Sequence, residues 1–155
     1  CMALTREGTI DTFFIRKHLR AGEALHQLGS PVDDTGTPFD PVHTQGVVAL
    51  TVDSLHQSFG LPFPTHLKID VDGHERAVVE GSRRTMRDPR LRSVLIEITE
   101  GPEGQEIRAE LLGLFEECGL TVASRVALPS HNPSQSAANY VFERTGSSVE
   151  EDQPQ

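Results

Sequence analysis

Apolar residues recur along this chain with two periods, one of two residues and one near 3.6, separated by Gly- and Pro-rich interruptions. Thr9 to Ile15 (Thr-Ile-Asp-Thr-Phe-Phe-Ile) is β-branched, aromatic and alternating, and predicts a strand. Met2-Ala3-Leu4 predicts a shorter one, with Arg6-Glu7-Gly8 turning between them. Arg16 to Gln45 holds no sustained period, and so long an irregular stretch is usually either functional or disordered. Gly46 to Leu50 predicts a strand, and Thr51 can cap a helix in which Val52, Leu55 and Phe59 share a face before Gly60, Pro62 and Pro64 end it. His66 to Val71 predicts a strand that runs into Asp72-Gly73. A helix over Glu75 to Met86 then turns Ala77, Val78 and Val79 inward and stops at Asp88-Pro89.

Ser93 to Ile98 is almost continuously apolar, as a strand buried on both faces of a parallel sheet would be. Ile107, Leu111, Leu114, Phe115 and Cys118 fall on one stripe of the next helix, with Gly119 as its C′ residue. Thr121 to Leu128 and Asn139 to Arg144 supply two final strands, and Ser147 to Gln155 is an acidic, polar tail expected to fray. Strands alternating with helices predict an α/β fold, a doubly wound sheet with right-handed crossovers. Ligands on such sheets bind beyond the carboxyl ends of the strands, which would place Asp70 to Glu75 and Glu97 to Glu100 on one rim.

Composition narrows the class of partner. The 155 residues carry a formal net charge of −9 and few aromatics, which argues against a nucleic-acid surface, since that requires a clustered basic face. The pair Arg83-Arg84 fits a solvated helix face. No apolar run approaches the roughly 18 to 20 residues of a membrane span, and the N-terminus lacks the layout of a secretory signal. Cys1 and Cys118 form neither a disulfide framework nor a zinc spacing, so a reducing, cytoplasmic compartment is expected. The strand-like segment immediately after Cys1 gives the impression of a chain cut from something longer. Oligomeric state leaves no trace in the sequence.

Candidate chemistry concentrates in one turn. Asp70, Asp72, His74 and Glu75 put three carboxylates and an imidazole within six residues at the mouth of the sheet. Crowded carboxylates raise one another's proton affinity unless a cation or hydrogen bonds compensate. Such a group can hold a divalent metal, accept a hydroxyl proton or orient a substrate. Capping is the alternative for the residues nearest the helix: Asp72 as N-cap, Glu75 as favourable first-turn charge. It does not account for Asp70, the carboxylate at the strand end. Gly73 suits a close backbone approach or a tight turn. His74 is either a base near neutral pH or an ordinary hydrogen-bonded histidine. Glu97 stands inside an apolar strand, where a carboxylate is costly unless paired or at the rim. Asp53 and Ser54 fit first-turn helix positions, and His18, His26 and His43 lie in irregular sequence without metal-ligand spacing.

Ile69-Asp70-Val71-Asp72-Gly73 also suggests a haloacid-dehalogenase-type phosphatase, but His74 stands where Thr or Val usually follows, and no lysine occurs after Lys68. An EF-hand loop would need Gly at its sixth position and Glu at its twelfth, where Glu75 and Gly81 stand.

The ordered motifs resemble those of the FkbM-type S-adenosylmethionine-dependent methyltransferases. Thr51-Val52-Asp53-Ser54-Leu55 is similar to the family's Thr-Leu-Asp-x-Leu, and Leu67 to Glu75 to its Leu-Lys-Ile-Asp-Val-Glu-Gly-x-Glu, with Asp72 in place of the usual Glu. Val79-Glu80-Gly81, Val94 to Ile98, the closing Asn139-Tyr140-Val141-Phe142 and Ala3-Leu4 with Arg6-Glu7-Gly8 continue the likeness from Met2 to Phe142.

The resemblance implies the C-terminal part of a Rossmann-like sheet of the class I methyltransferase type with an antiparallel last strand. It implies a partial domain over 1–145 and a disordered acidic tail over 146–155. S-adenosylmethionine is the implied cofactor and a hydroxyl of a small metabolite or sugar the implied acceptor, with no nucleic-acid or membrane partner. The family's Gly-rich cofactor loop would lie upstream of Cys1, so the cofactor-binding residues are not assigned. Asp70 is the expected contact to the reacting edge, Asp72 and His74 are candidates for base or orientation, and Glu97 for support from the next strand. Asp70 and Asp72 are also the candidate ligands of a divalent metal. The stretch Arg16 to Gln45 would cover the acceptor, with His26 and Gln27 as contacts. A metal-dependent phosphohydrolase using Asp70 and Asp72, and a non-catalytic remnant, are the alternatives.

Overall fold

The computed structural model describes residues 2–17, 26–33, 36–129 and 136–145, the side chain of Glu103 excepted. Cys1, His18 and the acidic tail lie outside the described residues. Two compact units make up the chain, Cys1–Pro62 with Ile69–Thr85, and Phe63–Lys68 with Met86–Gln155. The fold is mixed α/β, with its strands distributed over two four-stranded sheets. Among the described residues no helix is long and apolar enough to cross a membrane.

In the first unit, β1 (Met2–Leu4), β2 (Thr9–Ile15), β3 (Gln27–Leu28) and β4 (His43–Leu50) form a sheet in the order β1-β4-β2-β3. The turn at Arg6 to Gly8 does not close a hairpin. β4 inserts between its neighbours, parallel to β1 and antiparallel to β2. β4 also starts three residues before the apolar run at Gly46, because His43, Thr44 and Gln45 pair with Ile15, Phe14 and Phe13. Period-two patterning survives in its second half, where Val47 and Ala49 are buried and Val48 is exposed. The segment expected to be irregular thus contributes β3, which pairs Leu28 and Gln27 with Phe13 and Phe14.

Helix α1 (Val52–Phe59) begins as expected, with Thr51 Oγ1 accepting from Ser54 N at 3.0 Å, and ends on left-handed Gly60. The single helix expected over Glu75 to Met86 is instead two, α2 (Glu75–Glu80) and α3 (Arg83–Arg87). Two contacts break it. At Gly81 a Cβ would stand 2.2 Å from the Thr5 carbonyl oxygen, so only glycine admits that backbone approach. The Asp53 carboxylate then starts the new helix, accepting from Arg84 N at 3.0 Å and from Thr85 N and Oγ1 at 2.7 Å each. Asp53 therefore does more than occupy a first helical turn. It caps α3 from α1, and its own amide donates to Gly81 O at 3.1 Å.

In the second unit, β5 (His66–Ile69), β6 (Ser93–Thr99), β7 (Leu120–Ala127) and β8 (Ala137–Arg144) are ordered β5-β6-β8-β7. The last strand, β8, is antiparallel to both β6 and β7. β6 is not buried on both faces. Val94, Ile96 and Ile98 are buried while Leu95 and Glu97 on the opposite face are half-buried, the alternation of a one-sided antiparallel pairing. A short 3-10 turn at Pro102–Gly104 leads into α4 (Gln105–Glu117), whose Leu111 and Phe115 are buried, with Cys118 buried at the C-cap and left-handed Gly119 beyond. Phe115 stacks on Phe142 with centroids 3.9 Å apart. Ile107, expected on the buried stripe, is 46% exposed, because it sits in the first turn. Arg144 closes the unit: its guanidinium donates to Leu91 O and Cys118 O at 3.0 Å, to Asp88 O at 3.0 Å and to Met86 O.

Candidate active site

The acidic turn belongs to the first unit. β5 stops at Ile69, two residues before the apolar run ends, so Asp70 is the first residue beyond the strand and is exposed. Asp72 adopts φ 47° and Gly73 φ 95°. Aspartate tolerates the left-handed region better than most residues because its short polar side chain can bond locally, while at φ 95° glycine alone is at ease.

Two left-handed residues in succession reverse the chain and bring the amides of Val71 and Gly73 to one side. Glu75 Oε1 accepts from both, at 3.3 and 3.2 Å. Glu75 thus folds back to hold the turn rather than only adding charge to the first turn of α2. The N-cap position of α2 is His74, not Asp72, and no side chain caps the helix there.

Across the turn lies Gln27 of β3, 5% exposed. Its Nε2 donates to Asp72 O at 3.1 Å, and its Oε1 is 3.1 Å from His74 Nε2. A carbonyl oxygen can only accept, so the amide must turn its NH2 end to Asp72 and its oxygen to His74. His74 Nε2 therefore carries a proton and donates it. In the neutral ring, Nδ1 is then the unprotonated nitrogen. Neighbouring His26 serves structure: its Nδ1 accepts from Arg16 N at 3.3 Å, and its ring meets Phe13 edge-on at 5.7 Å.

Gln27 thus engages both the Asp72 carbonyl and His74, while Asp70 stands exposed at the head of the same turn. Glu97 is placed by the second unit, on the half-buried face of β6 directly opposite Asn139. Among the described residues no three of His, Cys, Asp and Glu form a group that could hold a metal ion. Glycines that could not accept a Cβ mark close approaches of the chain to itself, Gly81 against Thr5 and Gly104 against Thr99, and neither opens a cradle for a nucleoside.

The second unit holds a cluster that sequence patterning did not single out. Glu100 takes a bidentate contact from Arg125, with Nε to Oε1 at 2.7 Å and Nη2 to Oε2, and the Tyr140 phenol donates to Oε1. The Arg125 hydrogen bonds, followed by that of Tyr140, hold the Glu100 carboxyl down at about 2. Burial first, and then the bond to Glu100, push the Tyr140 hydroxyl up. Arg125 and Tyr140 are direct cross-strand partners only because the β7 register shifts between Val122 and Ser124.

A sequence profile for the methyltransferase FkbM domain matches residues 5–121, about three quarters of the chain. The chain belongs to the FkbM methyltransferase family. No curated protein and no solved structure matches it significantly. Within the FkbM match lie Gln27, the whole turn from Asp70 to Glu75, Asp53, Glu97 and Glu100, whereas Arg125 and Tyr140 fall beyond it.

Proposed function

We propose that this methyltransferase domain promotes transfer of a methyl group from S-adenosylmethionine to a hydroxyl oxygen of a small metabolite or sugar. The observation that carries this is His74, whose Nε2 is held 3.1 Å from the Oε1 of buried Gln27 in the same turn that carries Asp70, Asp72 and Glu75. When bound, the donor supplies an electrophilic methyl group on a cationic sulfur. The acidic turn fits that charge.

This chain's own contribution is to place the acceptor and move its proton. Asp70, exposed at the end of β5, hydrogen-bonds an acceptor hydroxyl and orients it. His74 receives the hydroxyl proton as the oxygen becomes nucleophilic, a step general base catalysis commonly accelerates about 10²- to 10⁴-fold. Gln27 and Glu75 keep the turn in shape while this happens. A Rossmann-like fold of the class I methyltransferase type is part of the proposal, because such folds bind ligands beyond the carboxyl ends of their strands. No observation favours the phosphohydrolase alternative.

Calorimetric titration of S-adenosylmethionine into the chain together with any residues encoded upstream of Cys1 tests the proposal. Saturable binding is expected, followed by methylation of hydroxylated acceptors that falls at least about tenfold in Asp70→Asn. A folded protein that binds no S-adenosylmethionine refutes it.

A further inference from the structure

The geometry points to Gln27 as a positioning residue that selects the His74 tautomer and so determines which ring nitrogen takes the acceptor's proton. This rests on the proposed methyl transfer, but it is carried by a different observation. Gln27 is the buried amide that ties β3 to the turn, and each of its two ends has one partner of fixed polarity. Its donor end is committed to the Asp72 carbonyl. Its acceptor end is therefore committed to His74, which must present Nε2–H.

The consequence lies on the other side of the ring. His74 is the N-cap residue of α2, yet it makes no side-chain capping hydrogen bond, and no described residue engages Nδ1. An imidazole fixed by donation from one nitrogen has its lone pair aimed from the other, the arrangement by which a hydrogen-bond partner orients a basic histidine. An acceptor hydroxyl bonded to Nδ1 gives up its proton there as its oxygen forms the bond to the methyl carbon. The electron pair of the broken carbon–sulfur bond stays on sulfur, and the imidazolium returns its proton to water. Because the Asp72 carbonyl takes part, the left-handed backbone at Asp72 and Gly73 sets the angle from which Gln27 reads the turn. The covering segment thereby contributes to the chemistry as well as to acceptor contact.

Nitrogen-15 correlation spectra of the His74 ring in the chain itself, at alkaline pH where histidines are neutral, supply the first test. The expected result is the Nε2–H tautomer with a slowly exchanging ring proton. Gln27→Met should speed that exchange about tenfold or more, while Gln27→Glu, which keeps an acceptor oxygen toward His74, should retain the protection. An Nδ1–H tautomer, or exchange unchanged in Gln27→Met, overturns the inference. The wild-type spectrum alone decides the tautomer, so a variant that fails to fold does not rescue it.

In turnover of the donor-binding protein, Gln27→Met should lower kcat about 10- to 100-fold with little change in the acceptor KM. It should have no further effect in a His74→Ala background. Equal losses with and without His74 would also overturn it. Absence of methyl transfer in the wild type defeats the proposed function, whereas the ring spectrum still judges Gln27.

Discussion

Replacing Asp53 with alanine removes the carboxylate that starts α3, and the structure allows the cost to be estimated. Three hydrogen bonds are lost, from Arg84 N, Thr85 N and Thr85 Oγ1. Arg84 is exposed, so water can replace the first. Thr85 is 1% exposed, and water cannot reach it. Loss of a helix cap costs about 1 kcal/mol, and a buried donor left unpaired about 1–3 kcal/mol more. Asp53→Ala should therefore destabilise the chain by about 3 kcal/mol, a large part of the roughly 5–15 kcal/mol that holds a typical domain folded. At this chain length that corresponds to a fall in Tm of about 6–12 °C. Urea denaturation followed by far-ultraviolet circular dichroism measures the change. Asp53→Asn, which keeps one accepting oxygen, should lose about 1 kcal/mol. The double variant with Thr85→Val should be less damaged than the sum of the singles, since valine leaves no hydroxyl to satisfy. A loss below about 0.5 kcal/mol in Asp53→Ala would show that the carboxylate does not hold α3, and the account of the helix break would fall with it.

Two glycines should respond to alanine with opposite signs in the same assay. Gly81→Ala drives a methyl into the Thr5 carbonyl and should cost about 3 kcal/mol or more, whereas Gly113→Ala, in α4 with no heavy atom within 4 Å, should stabilise by about 0.5–1 kcal/mol. Glu100 makes stability pH-dependent on the acid side. Its carboxyl is lowered from 4.5 to about 2 on folding, so its contribution is complete above the unfolded value and disappears as pH falls through the folded one. Because Arg125 is 46% exposed, solvent screening reduces the contribution to about 1 kcal/mol. Wild type should exceed Glu100→Gln by that amount at about pH 6 and match it near pH 2; a constant difference across this range contradicts the assignment.

The parts of this fold that could be read from sequence are those that local chemistry determines. Thr51 caps α1 because a hydroxyl before an apolar-periodic run has an amide within reach, and Gly119 ends α4 because the chain must leave the helix left-handed. β2 spans Thr9–Ile15, the bounds its β-branched and aromatic composition predicts. What escaped depends on distant partners. The break at Gly81 is made by the Thr5 backbone and the Asp53 carboxylate, neither of which leaves a mark on the helical pattern of Glu75 to Met86. Gln27 lies 47 residues from His74 in sequence, inside a stretch without period, so only its contact role could be expected and not its grip on the ring. Glu100, Arg125 and Tyr140 meet through a register shift that alternation cannot reveal. The turn from Asp70 to Glu75 was legible as a cluster of acidic residues and a histidine, whereas the fold-back of Glu75 onto the amides of Val71 and Gly73 was not.

The position of β8 has a consequence for biosynthesis. It follows β6 and β7 in sequence, yet it lies between them, and its Arg144 satisfies carbonyls at residues 86, 88, 91 and 118. On the ribosome, β6, α4 and β7 emerge with their sheet unjoined and those carbonyls open. The second unit must wait for its final strand, carrying unpaired strand edges until the chain has passed Arg144. A polypeptide stopped short of β8 would leave the β6 and β7 edges and those carbonyls without the partners that the complete unit gives them.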